Sequence, residues 1–156
     1  MRSALPDFLV DTNILVYAYD ATEGFKRDRA QLVLRRLGTA GRGALTPQIL
    51  GEFFVTALRK AEPKLSAAQL QLSVTNYARS WTILDLTANV VTEAIRGVVT
   101  YDLPYWDALI WACAKLNDVP VVLSEDFNTG ALIEGVRFLN PIPPSFDLDL
   151  MLLPRR

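Results

Sequence analysis

The chain has 156 residues, 51% hydrophobic and 21% charged, with a formal net charge of −1. That length supports one domain with a sizeable core, and the charge balance excludes a globally basic nucleic-acid binder. Any nucleic acid has to be held by a local basic patch or through bound metal. The chain has no histidine and a single cysteine, which excludes Ser-His-Asp and Cys-His catalysis, an intrachain disulfide and zinc held by imidazoles or thiolates. Carboxylates remain, and they suit hard divalent cations.

Residues 1–7 carry no long apolar stretch after a charged start, and no window reaches membrane-spanning length, so a cytoplasmic place is expected. Phe8-Leu9-Val10 reads as a buried first strand, followed by a short helix over 14–19 and a loop at 20–24. Residues 25–37 form an amphipathic helix with Ala30, Val33, Leu34 and Leu37 on one face. A second strand is predicted at 43–46. Thr46 caps the next helix, with Pro47 in its first turn and Ile49, Phe53 and Ala57 along its apolar side. Ser66 opens a helix to about 80, and 81–84 reads as a third strand. Thr87 caps a helix to about 99, and Pro104 opens another to about 116. Strands at 119–123 and 136–139 follow, and the proline-rich tail from 141 is expected to lie on the surface without regular structure. Cys113 sits in the apolar run 108–114 and reads as a small buried hydrophobe.

Strands separated by helices predict a single α/β domain with a mostly parallel sheet, core 7–141 and tail 141–156. In such sheets, sites lie at the carboxyl ends of strands. Asp11 ends strand one and Ser124-Glu125-Asp126 ends strand four, so the fold delivers both to one edge. Asp11 can cap the following helix or serve a site; Thr12 and Asn13 can support it by hydrogen bonding. Glu52 lies at the border of an apolar helix stripe, and spacing alone makes it a solvated helix-face glutamate. Asp107 stands between Tyr105-Trp106 and the apolar run, where a carboxylate is costly unless paired, protonated or metal-bound. The helix dipole also favours an acid in that first turn. Alternation along an extended chain puts Ser124 and Asp126 on a common side and turns Glu125 elsewhere.

Four segments together resemble the PIN domain: Val10-Asp11-Thr12-Asn13-Ile14-Leu15, Thr46-Pro47-Gln48-Ile49-Leu50-Gly51-Glu52-Phe53, Tyr105-Trp106-Asp107-Ala108-Leu109-Ile110 and Val122-Leu123-Ser124-Glu125-Asp126-Phe127. More narrowly they are similar to VapC-type toxin ribonucleases of prokaryotic toxin–antitoxin pairs, and Gly135 to Pro141 resembles that family's closing strand. The resemblance implies a Rossmann-like three-layer fold, a mostly parallel central sheet flanked by helices. It implies Mg²⁺- or Mn²⁺-dependent cleavage of RNA at Asp11, Glu52, Asp107 and Asp126, with Ser124 as a supporting hydroxyl. It also implies a homodimer and a cognate antitoxin partner.

Crowded carboxylates repel one another, so their pKa values should rise without a cation. Most basic residues on the predicted helices read as solvated faces; Arg59 and Lys60, which follow Glu52 on one helix, are the candidate RNA contacts. Two other readings fit the same sheet. A phosphatase or phosphoacceptor would also use a strand-end Asp, but Asp11-Thr12-Asn13 lacks the second acid of an Asp-x-Asp loop. A binding module that has lost activity would not need all four acids.

Overall fold

In the computed structural model, which describes residues 5–154, the apolar runs become short strands at the centre of the molecule. Strand β1 spans Phe8–Val10, β2 Gly43–Leu45, β3 Thr82–Ile83, β4 Val121–Leu123, β5 Leu132–Ile133 and β6 Val136–Leu139. They form one six-stranded sheet in the order β3-β2-β1-β4-β6-β5. All pairings are parallel except β5 with β6. The helices are α1 Thr12–Tyr17, α2 Phe25–Ala40, α3 Pro47–Lys60, α4 Ala67–Ser80, α5 Ala88–Tyr101, α6 Tyr105–Leu116 and α7 Leu148–Met151. This is the α/β fold that the alternating pattern predicts.

The predicted caps form. Thr46 accepts from the Ile49 amide at 3.2 Å, with Pro47 in the first turn of α3. Ser66 and Gln69 make a reciprocal capping box on α4. Thr87 caps α5 through the Val90 amide at 3.3 Å. Each cap satisfies an amide that the helix cannot, so α3, α4 and α5 begin where their sequences say.

Three expectations are corrected. The third strand is only Thr82–Ile83, because Trp81 ends α4 and lays its indole over β2; a Cβ on Gly43 would stand 2.3 Å from that ring. The sheet has a sixth strand, β5, which the sequence reading omits. It joins β6 through Glu134 and Gly135, whose φ angles of 47° and 86° make the tight turn whose twist suits a hairpin. The tail also has structure. Ile142 and Leu148 are buried, and Asp147 caps α7 through the amides of Asp149 and Leu150. Arg29 donates to the carbonyls of Pro141 (2.9 Å) and Phe146, Arg36 pairs with Asp149, and Arg42 reaches the Leu153 carbonyl (3.2 Å). Arg29 and Arg36 therefore hold the tail rather than forming an open basic face.

The core joins both helical layers to the sheet through fully buried side chains such as Phe53, Leu9, Phe138 and Trp111. Trp111 is buried without an orphan donor, since its Nε1 donates to the Ile133 carbonyl at 3.1 Å. Among the described residues, no helix is long and apolar enough to cross a membrane.

Candidate active site

The chain runs from β1 to β2 and β3 on one side and places β4 on the other, so strand order reverses between β1 and β4. At such a switch point the following loops diverge and leave a crevice at the carboxyl edge. Asp11 follows β1 directly, and Ser124 follows β4 directly. The Asp11 amide donates to the Leu123 carbonyl at 2.9 Å, and the Ser124 amide to Leu139 at 2.9 Å. Sheet-like bonding thus continues one residue beyond each strand and fixes both side chains.

The crevice is a cavity of about 280 Å³ whose lining includes Asp11, Glu52, Asp107 and Asp126, with Thr12, Asn13, Gln48 and Lys60. The four acids that the resemblance implies are brought together. Helix α3 supplies one wall: Gln48, Glu52, Thr56 and Lys60 recur every fourth residue along one face. Arg59, the other candidate RNA contact, does not line the cavity.

Asp11 is the deepest of the four, 6% exposed. Its Oδ1 accepts from the Thr12 amide at 2.7 Å and its Oδ2 from the Ser124 hydroxyl at 2.7 Å. It both caps α1 and faces the cavity, so the two readings left open by the sequence are compatible. Asn13 Nδ2 donates to Ser124 Oγ at 3.3 Å, and the Asp126 amide donates to the same oxygen at 3.1 Å. Ser124 is therefore the hub that ties Asp11 to the loop carrying Asp126.

Glu52 and Asp126 lie at the exposed mouth, and Asp107 is half-buried between mouth and floor. Thr12 donates to Glu52 Oε2 at 3.0 Å, and Gln48 Nε2 to Oε1 at 2.7 Å. Glu125 points away, as alternation predicts. It accepts from Tyr17 at 2.7 Å and Lys26 at 2.9 Å. Burial works against ionisation of Glu125, but these two partners hold its pKa below the usual value.

The electrostatics of the cavity run the other way. Burial pushes the Asp11 pKa up to about 6; the Ser124 and Thr12 bonds oppose this, while Asp126 and Asp107 add repulsion. Burial also raises Asp107, helped by the charges of Asp126 and Glu52. The helix dipole favours an acid in the first turn of α6, yet desolvation and repulsion outweigh it.

The donors suit a hard divalent cation in kind. The acids offer only oxygen, and the Oδ oxygens of Asp11 keep lone pairs beyond the bonds they accept. Gln48 Oε1 is buried with no hydrogen-bond partner among the described residues. Among those residues, no three acidic or thiol side chains converge closely enough to enclose an ion unaided. The arrangement suits a cation that keeps part of its water shell, as Mg²⁺ does. Sequence reasoning did not single out Gln48, whose signal is only its place one turn before Glu52.

A Rossmann-like sheet with clustered carboxylates at its switch point defines the broad class of the fold and site. The PIN domain family model matches residues 8–130, and the chain belongs to the PIN domain family. No curated protein matches the sequence. Among solved structures, the fold is similar to a toxin–antitoxin complex from Klebsiella pneumoniae (TM-score 0.63, 22% identity, 85% of this chain and 96% of that chain covered). It is also similar to VapC20 of Mycobacterium tuberculosis, described as a sarcin–ricin loop cleaving toxin (0.61, 18%, 83% and 98%). A third is DNA-bound VapBC from Salmonella typhimurium (0.59, 19%, 87% and 98%). These likenesses bear out the fold that the four sequence segments imply.

Proposed function

We propose that the protein is a divalent-metal-dependent endoribonuclease, a single PIN domain acting in the cytoplasm as the toxin of a toxin–antitoxin pair. The observation that carries the catalytic part is the gathering of Asp11, Glu52, Asp107 and Asp126 around one cavity, with Lys60 as the single lining cation among the described residues. A fold keeps such an uncompensated cluster at a cost to stability, and perturbed acids in a cleft mark functional sites. Family membership supports a nuclease. The toxin and the cognate antitoxin are supported by likeness to toxin–antitoxin structures, and the homodimer is what the resemblance of the four sequence segments implies.

In this reading Asp11 and Asp107 hold Mg²⁺ or Mn²⁺ directly, while Glu52 and Asp126 complete a second position or orient water. When bound, the metal supplies charge neutralisation on the phosphate and acidifies water. Ser124 and the Thr12 amide fix the Asp11 carboxylate, so it is ordered before substrate arrives. Thr12 and Gln48 do the same for Glu52. Lys60 stands on the cavity wall where a phosphate oxygen can meet its ammonium. Arg59 is left to contacts outside the cavity.

The test is cleavage of end-labelled RNA with Mg²⁺ or Mn²⁺ and with chelator, with mapping of the product ends. The expected result is metal-dependent cleavage leaving 5′-phosphate and 3′-hydroxyl ends; full activity in excess EDTA overturns the mechanism. Calorimetric titration of metal separates an enzyme from a scaffold that has lost its site. Expression that arrests growth, relieved by the product of a neighbouring gene, tests the toxin reading.

A further inference from the structure

Trp106 has no place in the chemistry above. It is 61% exposed, although α6 is buried continuously from Ala108 to Ala114. It lines the same cavity as the four acids. Tyr105, which packs against the core, meets the indole edge-on with ring centroids 5.0 Å apart. The ring is thus braced on one side while much of its surface remains in water, open to use by a planar partner.

Two further features say what that use is. Among the described residues, Lys60 is the one cation lining the cavity, against four acids. The protein's own side chains therefore give a phosphate little hold beyond what a bound metal supplies, and a contact independent of charge adds to it. At about 280 Å³ the cavity is also at the small end for a ligand pocket. Trp106, which lines it and is 61% exposed, stands where a base attached to a phosphate in the cavity can reach the ring.

We infer that Trp106 is a stacking platform for one unpaired base beside the scissile phosphate, which makes the enzyme selective for single-stranded RNA at that nucleotide. A base inside a duplex is already stacked on both faces and cannot offer one to an indole without unstacking. The inference rests on the ribonuclease reading for the identity of the ligand, but its test is a binding measurement and does not require cleavage.

The probe is a fluorescently labelled single-stranded oligoadenylate, and the same strand annealed to its complement, titrated with full-length protein in Mg²⁺. Asp11→Asn serves as the background so that no probe is consumed. Trp106→Leu in that background should weaken single-strand binding roughly tenfold, the scale of one base–aromatic stack. Trp106→Phe should restore most of it. Duplex binding should be weak in all variants. The slope of affinity against salt should not change, because stacking displaces no counterions. The Trp106→Leu melting temperature should match its parent's, since the ring is exposed. In the active enzyme the same change should raise KM more than it lowers kcat.

Equal affinity of the Leu and Trp forms for the single strand overturns the inference. So does a change in oligomeric state of Trp106→Leu by light scattering, which would assign the ring to a protein–protein contact. Absence of cleavage by wild type with stacking intact would instead remove the ribonuclease reading and leave the platform standing.

Discussion

Glu93 and Glu134 meet Arg96, Lys115 and Tyr101, whereas Asp11 and Glu52 meet neutral donors and share one cavity with Asp107 and Asp126. In the first group Arg96 bridges Glu93 at 2.5 Å and Glu134 at 2.6 Å, and Lys115 reaches the same two acids at 2.7 and 3.2 Å. Hydrogen bonds from Arg96 and Lys115 hold the Glu93 pKa down at about 2, and Tyr101 and Arg96 do the same for Glu134. In the cavity, burial and neighbouring carboxylates push Asp11 up to about 6. One chain thus lowers the pKa values of Glu93 and Glu134 where it fastens the β5–β6 turn to α5 and α6, and raises those of Asp11 and Asp107 at the switch point. The contrast separates acids that secure the fold from acids retained against its stability.

Removing charge should break this contrast most sharply in activity. Asp11→Asn and Asp126→Asn should each lower RNA cleavage on the order of 10²–10³-fold or more, the scale of losing one electrostatic stabiliser of a transition state. Single-turnover cleavage with Mg²⁺ measures this, and near-normal rates in either variant would take that residue out of the site.

Stability should move the opposite way. The raised Asp11 pKa means the metal-free fold retains a proton that the unfolded chain releases near 3.8. Stability from this group is therefore full below pH 3.8 and is lost as pH rises to about 6. At about 1.4 kcal/mol per pH unit the loss is about 3 kcal/mol. Asp11→Asn avoids that loss but weakens the Ser124 bond, worth about 1 kcal/mol. In chelator at pH 7.5 the variant should melt several degrees higher than wild type, and near pH 4 the advantage should vanish. A lower melting temperature at both pH values would make Asp11 a structural cap only.

Glu93→Gln should do the reverse. Its depressed pKa contributes stability above 4.5 that is lost as pH falls through about 2. With Glu93 only 18% exposed but its partners more open, a loss of about 1 kcal/mol at neutral pH is expected. Urea midpoints should show it shrinking below pH 4.5.

The smallest effect belongs to Glu125→Gln, which weakens the pairing with Lys26 while keeping a partner for Tyr17. Cleavage should fall only a few-fold, in keeping with the modest worth of a partly exposed ion pair. Loss comparable to Asp126→Asn would show that the two neighbours exchange roles.

Much of this organisation was legible in the residues. β1, β2, β4 and β6 are short apolar runs between helical stretches, and Thr46, Ser66 and Thr87 announce their helices by cap chemistry that acts within three residues. Strand β5 is not legible in this way, because Leu132–Ile133 is too short to show alternation and its mark is the Glu134-Gly135 turn. In the tail, prolines signal an end to regular structure, while the residues that anchor it, Arg29, Arg36 and Arg42, lie more than a hundred residues earlier. In the site, Asp11 and Asp126 were placed by strand ends, a local signal. Glu52 was not, because helix α3 reveals which residues share a face and not what that face opposes. Only the packing of α3 beside α1, where Thr12 meets Glu52, makes it part of the cavity.

The sheet ends in two strands of two residues each, β3 on one side and β5 on the other. Such short edges leave almost no open ladder for a foreign strand to extend, which also guards against edge-to-edge aggregation. Recognition by strand addition, which reads mainly backbone, finds little to extend at such edges, and helix faces and loops offer a protein partner more surface. Specificity between this chain and its near relatives would then be written in side chains, where a single surface substitution can redirect pairing without disturbing the fold.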